Sequence, residues 1–367
     1  MNKKLIAGVA VSATLAAGLL VAAPANAAVN ISGSGSSFAF NAIQYCASNY
    51  DSLDNVSYTS TGSGTGRTNF RSSYGTYPFA VADAPYGSSD SVPSFSYVNV
   101  PLLGGPVVFA YNSTKKYTAS GKKYAMPAGL KLNAAVVSGI LKGTISKWNN
   151  AAIKKLNPSA KLPNHAINVY YRVSGSGTTA NLTTYLSQTS GSSWTANSKD
   201  LQAAAGGNLA AGAIAKNTSA VLANAVANDV YGFGYFDLSD AASTKVNKAL
   251  LKNAYGQYVA PTAAAGATFL NAQTAIVDGS NNRTDGTLNI DFTKKVKNAY
   301  QLSIVTYGIA KRGSAVAGSK SEAVKKFFTY VVNTCMPKYA ASHGYIALTK
   351  ALKTTANSQI ASIGGTD

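Results

Sequence analysis

Residues 170–182 read YYRVSGSGTTANL. A strand-like run ends in an arginine, a loop of small residues follows, and a helix-like segment begins. Two related stretches lie upstream, ISGSGSSF at 31–38 and TSTGSGTGRT at 59–68. A strand that turns through small residues into a helix leaves backbone N–H groups at the positive end of the helix dipole, where anions bind. Ser and Thr hydroxyls add donors from the same turn. An arginine beside the loop adds a planar fork that matches two oxygens of a tetrahedral oxyanion. Alone, each loop is equally an ordinary turn. Three loops, each between a predicted strand and a predicted helix, point to an oxyanion site. The candidate residues are Ser37 and the amide of Phe38 in the first loop and Ser63 in the second. The third contributes Arg172, Ser176, Gly177 and Thr178.

Outward from these loops the chain alternates strands and helices. YPFAVADAPY at 77–86 is a short apolar strand. VNVPLLGGPVVFAYN at 98–112 and AYQLSIVTYGIAKR at 299–312 are long apolar runs suited to crossing between two lobes. SEAVKKFFTYVVNTCM at 321–336 reads as an amphipathic helix opened by Ser321 and Glu322. This pattern predicts an α/β class with mostly parallel sheets. The stretch at 267–298, rich in Asn, Asp, Gly and Thr, reads as an elaborated surface loop.

Asp83 stands at the end of the 77–86 strand, one of twelve aspartates beside a single glutamate. A carboxylate there needs a partner. It is either a turn cap or an acceptor for a proton carried by the ligand. In the second case it would repel a fully ionised oxyanion such as sulfate and accept a hydrogen bond from protonated phosphate.

Composition narrows the function further. The 367 residues suffice for about two domains, with 46% apolar and only 12% charged residues. Lys3 and Lys4, an apolar run and Ala25–x–Ala27 read as a signal peptide over 1–27. The expected product is exported, and is extracellular, wall-associated or periplasmic. With no Cys at the junction it is not a lipoprotein. The formal charge of +19 falls to about +17 once that segment leaves. The lysines are scattered without interleaved aromatics, so the charge suits small anions or an anionic cell wall and not nucleic acid. Two cysteines in an exported chain usually pair, so Cys46 and Cys335 are an expected disulfide, with two buried free thiols as the alternative.

Catalysis finds little support. His165 and His343 are isolated, and no metal-ligand spacing or nucleophile elbow is present. TGSGTGRT at 61–68 lacks the first glycine and the lysine of a nucleotide loop, with Thr61 and Arg67 in their places. Neither an enzyme, a metal site nor a cofactor is expected.

The order SGSGSSF, TGSGTGRTNF, FAVADAPY, VPLLGGPVVFAYN, LKGTISKWNNAAIKKLNPSAKLP, RVSGSGTT and GFGYF resembles the PstS family, the phosphate-binding proteins of bacterial phosphate ABC importers. The resemblance runs from about residue 31 to 240 and more faintly to about 350. It implies a two-lobe periplasmic-binding-protein fold, type II-like, with a ligand cleft between lobes joined by crossing hinge strands. Lobe I would be 28–108 and 303–367, lobe II 109–302, with both cysteines in lobe I. It implies phosphate contacts at Ser37, Phe38, Ser63, Asp83, Arg172, Ser176, Gly177 and Thr178, a monomer, and delivery to an ABC permease. Binding of another oxyanion, or a wall-associated adhesive role, is the alternative. The family commonly carries an aspartate where this chain has Ser174, and that carboxylate would help to hold the arginine.

Overall fold

The computed structural model describes residues 28–87, 90–112, 114–173, 175–194, 196–273 and 286–367. The expected signal peptide at 1–27, Ser174 and part of the 267–298 stretch lie outside them. Among the described residues no helix is long and apolar enough to cross a membrane.

One curled mixed sheet organises the chain. Its main strands are β1 (Asn30–Gly35), β2 (Asn55–Ser60), β3 (Phe79–Ala82), β4 (Tyr97–Tyr111), β5 (Asn168–Arg172), β6 (Ile214–Lys216), β7 (Gly232–Asp237) and β8 (Ser303–Lys311), with the short strand Asn247–Lys248 beside the end of β4. They lie in the order β2-β1-β3-β8-β4-β7-β5-β6. The outer pairs on both sides are parallel. The central pairs, β3 with β8, β8 with β4 and β4 with β7, are antiparallel. The expectation of a mostly parallel sheet therefore holds only for the flanks. The long strands β4 and β8 run opposite to one another because one leaves the first half of the sheet and the other returns.

β4 makes the crossing. Its fifteen residues are buried after Tyr97, which explains the unbroken apolar run. Residues 97–106 pair with β8, and Val107–Tyr111 pair with β7. The register with β8 shifts between Thr306 and Tyr307, beside Pro101, which cannot donate to a ladder. Gly104 and Gly105 still pair with β8, just before the partner changes at Pro106–Val107. A Cβ on Gly105 would stand 2.8 Å from the Phe38 ring, so the crossing packs against the first loop only without one.

β1 corrects the sequence reading. Ser32–Gly35 was expected to turn, yet it is strand, between β2 and β3. A Cβ at Gly33 would lie 2.0 Å from the Phe79 ring. The glycine serves a close approach between strands and not a bend. The helix over Lys320–Tyr330 is capped by Ser319, whose hydroxyl accepts from the Glu322 amide, and not by Ser321. Ser321 is buried against the Tyr74 hydroxyl.

Cys46 and Cys335 form the disulfide, with Cα atoms 5.8 Å apart. It ties α1 (Phe40–Ser48) to the C-terminal helical segment. In the described part of the 267–298 stretch, Leu288, Ile290 and Phe292 are buried. The Leu288 amide donates to the Tyr307 hydroxyl and the Phe292 amide to the Gln188 side chain. This portion is therefore packed, not a surface loop: it spans from the return strand to a helix beyond the crossing.

Candidate functional site

Three helices begin where the loops end. α1 follows Ser36–Ala39. α2 (Ser63–Ser72) follows Gly62. α3 (Gly177–Thr189) follows Ser176. A fourth, α4 (Ser219–Asn228), also starts here and was not anticipated. Arg172 closes β5 and Asp83 directly follows β3, so both sit where strands hand over to loops.

Arg172 is 2% exposed. Its Nη1 donates to the Ser37 hydroxyl at 2.7 Å and to the Ser219 hydroxyl at 3.4 Å. Its Nη2 donates to the Asn217 carbonyl at 2.7 Å. The Ser219 amide donates to Ser37 Oγ at 3.0 Å. Burial lowers the Arg172 value, and Tyr235 and the charges of Asp83, Asp237 and Asp240 oppose that without cancelling it. The guanidinium stays charged in any protein setting.

Asp83 is 3% exposed. Oδ1 accepts from Ser36 at 2.5 Å and from Thr306 at 2.9 Å. Oδ2 accepts from Thr178 at 3.3 Å and from Ser63 at 3.4 Å. Burial raises its carboxyl above the ordinary range. The bonds from Ser36 and Thr306, the Arg172 charge and the Thr178 bond oppose that rise without cancelling it. Four hydroxyls from four parts of the chain point at the carboxylate, so its bonds are long-range and not those of a local turn cap.

Two glycines allow this convergence. A Cβ on Gly177 would lie 2.5 Å from Ser63 Oγ and 3.0 Å from Asp83. Gly64 donates its amide to the Gly175 carbonyl at 2.8 Å, and a Cβ there would meet the Gly175 backbone at 3.0 Å. The second and third loops thus touch backbone to backbone.

Ser37, Ser63, Asp83, Arg172, Gly177 and Thr178 are brought together. Ser176 is adjacent, but its hydroxyl caps α3, accepting from the Thr179 amide. Phe38 joins through Ser37. Its ring meets Tyr345 edge-on, and its carbonyl accepts the Tyr345 hydroxyl. Sequence reasoning missed Ser36, Ser219 and Thr306. Thr306 carried a signal, a polar residue inside the apolar run LSIVTYGIA. Ser219 carried only a helix-start signal, in KNTSA before an apolar run. His165 and His343 stack on Tyr231 and Tyr339, away from this cluster.

Two sheet halves joined by crossing strands, with loops from both halves meeting on a buried arginine and aspartate, define a two-lobe binding protein of the periplasmic type. A family model described as "PBP superfamily domain" matches residues 21–334. The chain is 31% identical over 239 residues to the phosphate-binding protein PstS of Xylella fastidiosa, covering 64% of this chain and 60% of that one. It is 30% identical over 308 residues to that of Methanocaldococcus jannaschii, covering 80% and 75%. The match therefore spans less than two thirds of the Xylella relative's length. The fold is similar to the structure of a high affinity periplasmic phosphate-binding protein, PfluDING, bound with phosphate. The TM-score is 0.68 at 20% identity, over 92% of this chain and 99% of that one. It is also similar to the phosphate-binding protein from Stenotrophomonas maltophilia, with a TM-score of 0.64 at 20% identity, over 90% and 94%. The chain belongs to the PstS family of phosphate-binding proteins within the PBP superfamily.

Proposed function

We propose that this protein binds inorganic phosphate outside the cytoplasm and delivers it to an ABC importer. The observation that carries this reading is a buried guanidinium and a buried carboxylate held in one site, not bonded to each other, among hydroxyl donors from both halves of the sheet. Arg172, Ser37, Ser63, Thr178 and the loop amides at Phe38 and Gly177 donate to phosphate oxygens. Ser176 sets the first turn of α3 and so aims those amides. Asp83 accepts the proton that phosphate keeps and sulfate lacks. Residues 28–108 with 303–367 form one lobe and 109–302 the other, hinged where β4 changes partners. The N-terminal 27 residues direct export. The relatives from Xylella fastidiosa and Methanocaldococcus jannaschii, each a phosphate-binding protein, support the same ligand.

Calorimetric titration of the mature chain with phosphate, with sulfate as competitor, tests the reading. Phosphate binding at micromolar levels or tighter, undisturbed by sulfate, is expected. No phosphate binding would refute it.

A further inference from the structure

The charge is unevenly placed along the chain. Residues 91–199 contain twelve Lys and Arg and not one Asp or Glu. Much of that surplus comes to one face. A hairpin of Lys116–Ala119 and Lys122–Ala125 stands out after β4. The Tyr117 hydroxyl donates to the Lys161 carbonyl at 3.0 Å, and the Lys161 ammonium lies 5.7 Å from the Tyr124 ring centre. The side chain of Asn157 bonds both the amide and the carbonyl of Lys131. Asn157 ends the short helix Ala151–Leu156 that carries Lys154 and Lys155. Lys116, Lys122, Lys123, Lys131, Lys154 and Lys155 are all exposed. Among the described residues none of them is in an ion pair. Asp229 lies at this end of the sheet, but Asn168 and Tyr170 bond its carboxylate.

We infer that this face docks a linear polyanion whose charges ride on a polar, non-aromatic chain, as in a phosphodiester-linked wall polymer. This inference stands apart from phosphate binding in the cleft. Three features select the partner. The cations are lysines, mobile point charges that follow a flexible anion without the fixed fork of arginine. Tyr117 is buried, and Tyr124 and Tyr258, the rings beneath Lys161 and Lys131, are half-buried, so the rings packed against these lysines present no free face for stacking a base. Among the described residues, none of the large exposed hydrophobic side chains is in the hairpin or in the helix Ala151–Leu156, so these segments offer nothing to enter a bilayer. Position matters too. Tyr111, which leads into the hairpin, pairs with Phe233, and Phe233 pairs with Val169 near the start of β5. Arg172 is at the other end of β5, roughly 10 Å along the strand. A polymer held on the lysine face leaves the cleft uncovered.

The test uses the mature chain saturated with inorganic phosphate, so that the cleft is filled, and immobilised poly(glycerol phosphate) as probe. Affinity is expected to fall steeply between low and physiological salt, as counterion release requires. The triple variant Lys116→Gln, Lys123→Gln, Lys154→Gln is expected to bind at least about fivefold more weakly with a shallower salt slope. An equal charge change at Lys295, Lys297 and Lys338 is expected to leave affinity within about twofold, and phosphate titration should not differ between the variants. Equal weakening by both triples, or by neither, would overturn the assignment. So would tighter binding of single-stranded DNA of the same phosphate count, which would give the face to nucleic acid, or of anionic vesicles, which would give it to a membrane.

Discussion

Asp83 and Arg172 are buried in one site and feel each other's charge, yet each bonds to hydroxyls and not to the other. A direct ion pair would spend both groups on each other. Kept apart, the guanidinium remains a donor and the carboxylate an acceptor, which is the combination a partly protonated oxyanion requires.

The first prediction follows from the raised Asp83 value. Such a group takes up a proton at a higher pH than an exposed carboxylate. Protonated, it becomes a donor and no longer repels sulfate. Sulfate affinity is therefore expected to be weak at neutral pH and to grow as the pH falls through the Asp83 value. Calorimetric sulfate titrations between about pH 8 and pH 4 measure this. A pH-independent sulfate affinity would remove Asp83 as the discriminating group.

Arg172→Lys should be costly although the charge is kept. An ammonium cannot reproduce bonds from two nitrogens, one to Ser37 and one to the Asn217 carbonyl. A loss of about 10- to 100-fold in phosphate affinity is expected. Ser219→Ala removes two longer contacts, 3.4 Å from Arg172 and 3.3 Å from the Ser37 hydroxyl, and should cost less. Equal losses in the two titrations would contradict this ranking.

Asp83 and Arg172 were legible in the sequence because charge is rare here and both stand beside apolar or small-residue runs. The crossing of β4 was legible because a strand buried on both faces has no polar alternation. Thr306 showed only as a polar residue in an apolar run and Ser219 only as a helix start, because their roles depend on contacts with residues far along the chain. Ser37 is 182 residues from Ser219, and Asp83 is 223 from Thr306. The SGSG of β1 misled for a related reason. Local propensity makes it a turn, and only the Phe79 ring across the ladder explains why glycine stands in a strand.

Lys199 ties the third loop to the opposite half of the sheet. Its carbonyl accepts the amides of Gly175 and Ser176, and its ammonium pairs with Asp90, which Arg67 also approaches at 3.5 Å. These partners hold the Asp90 carboxyl below its ordinary value, against the effect of burial. The pair is partly exposed, so roughly 1 kcal/mol or less is expected from it. Asp90→Asn should speed phosphate release by no more than about fivefold, an effect that shrinks at high salt. Stopped-flow release rates at two ionic strengths decide it, and a salt-independent change would point elsewhere.

The disulfide closes a separation of 289 residues, so its removal frees much of the unfolded chain. Replacing Cys46 and Cys335 together by Ala should cost on the order of 2–5 kcal/mol. Neither cysteine lies in the cluster around Asp83, so phosphate affinity should be nearly unchanged. Paired denaturation and phosphate titrations test both halves. Lost affinity in a folded variant would mean that α1 needs the bond to aim Ser37.

The buried acid pair behind Arg172 gives the last prediction. Asp237 caps the helix Leu238–Ser243 by accepting the Asp240 amide at 2.8 Å. Its other oxygen is buried without a hydrogen-bond partner among the described residues. Burial first, and then the Asp240 charge, push the Asp237 carboxyl well above its ordinary value. The sign follows from linkage. A carboxyl raised in the folded state holds its proton more tightly there than in the unfolded chain. Its contribution is therefore most favourable in acid and declines as pH rises through the folded value. Asn keeps the cap and cannot ionise. Asp237→Asn should raise the melting temperature near neutral pH by a few degrees, since roughly 1 kcal/mol moves a large chain by about 2 °C. The gain should close as the pH approaches about 4, where the wild-type carboxyl is also neutral. Melting curves of both proteins across that range measure the gap. A gain of constant size would mean that the amide's hydrogen bonding, and not the removed charge, is the cause.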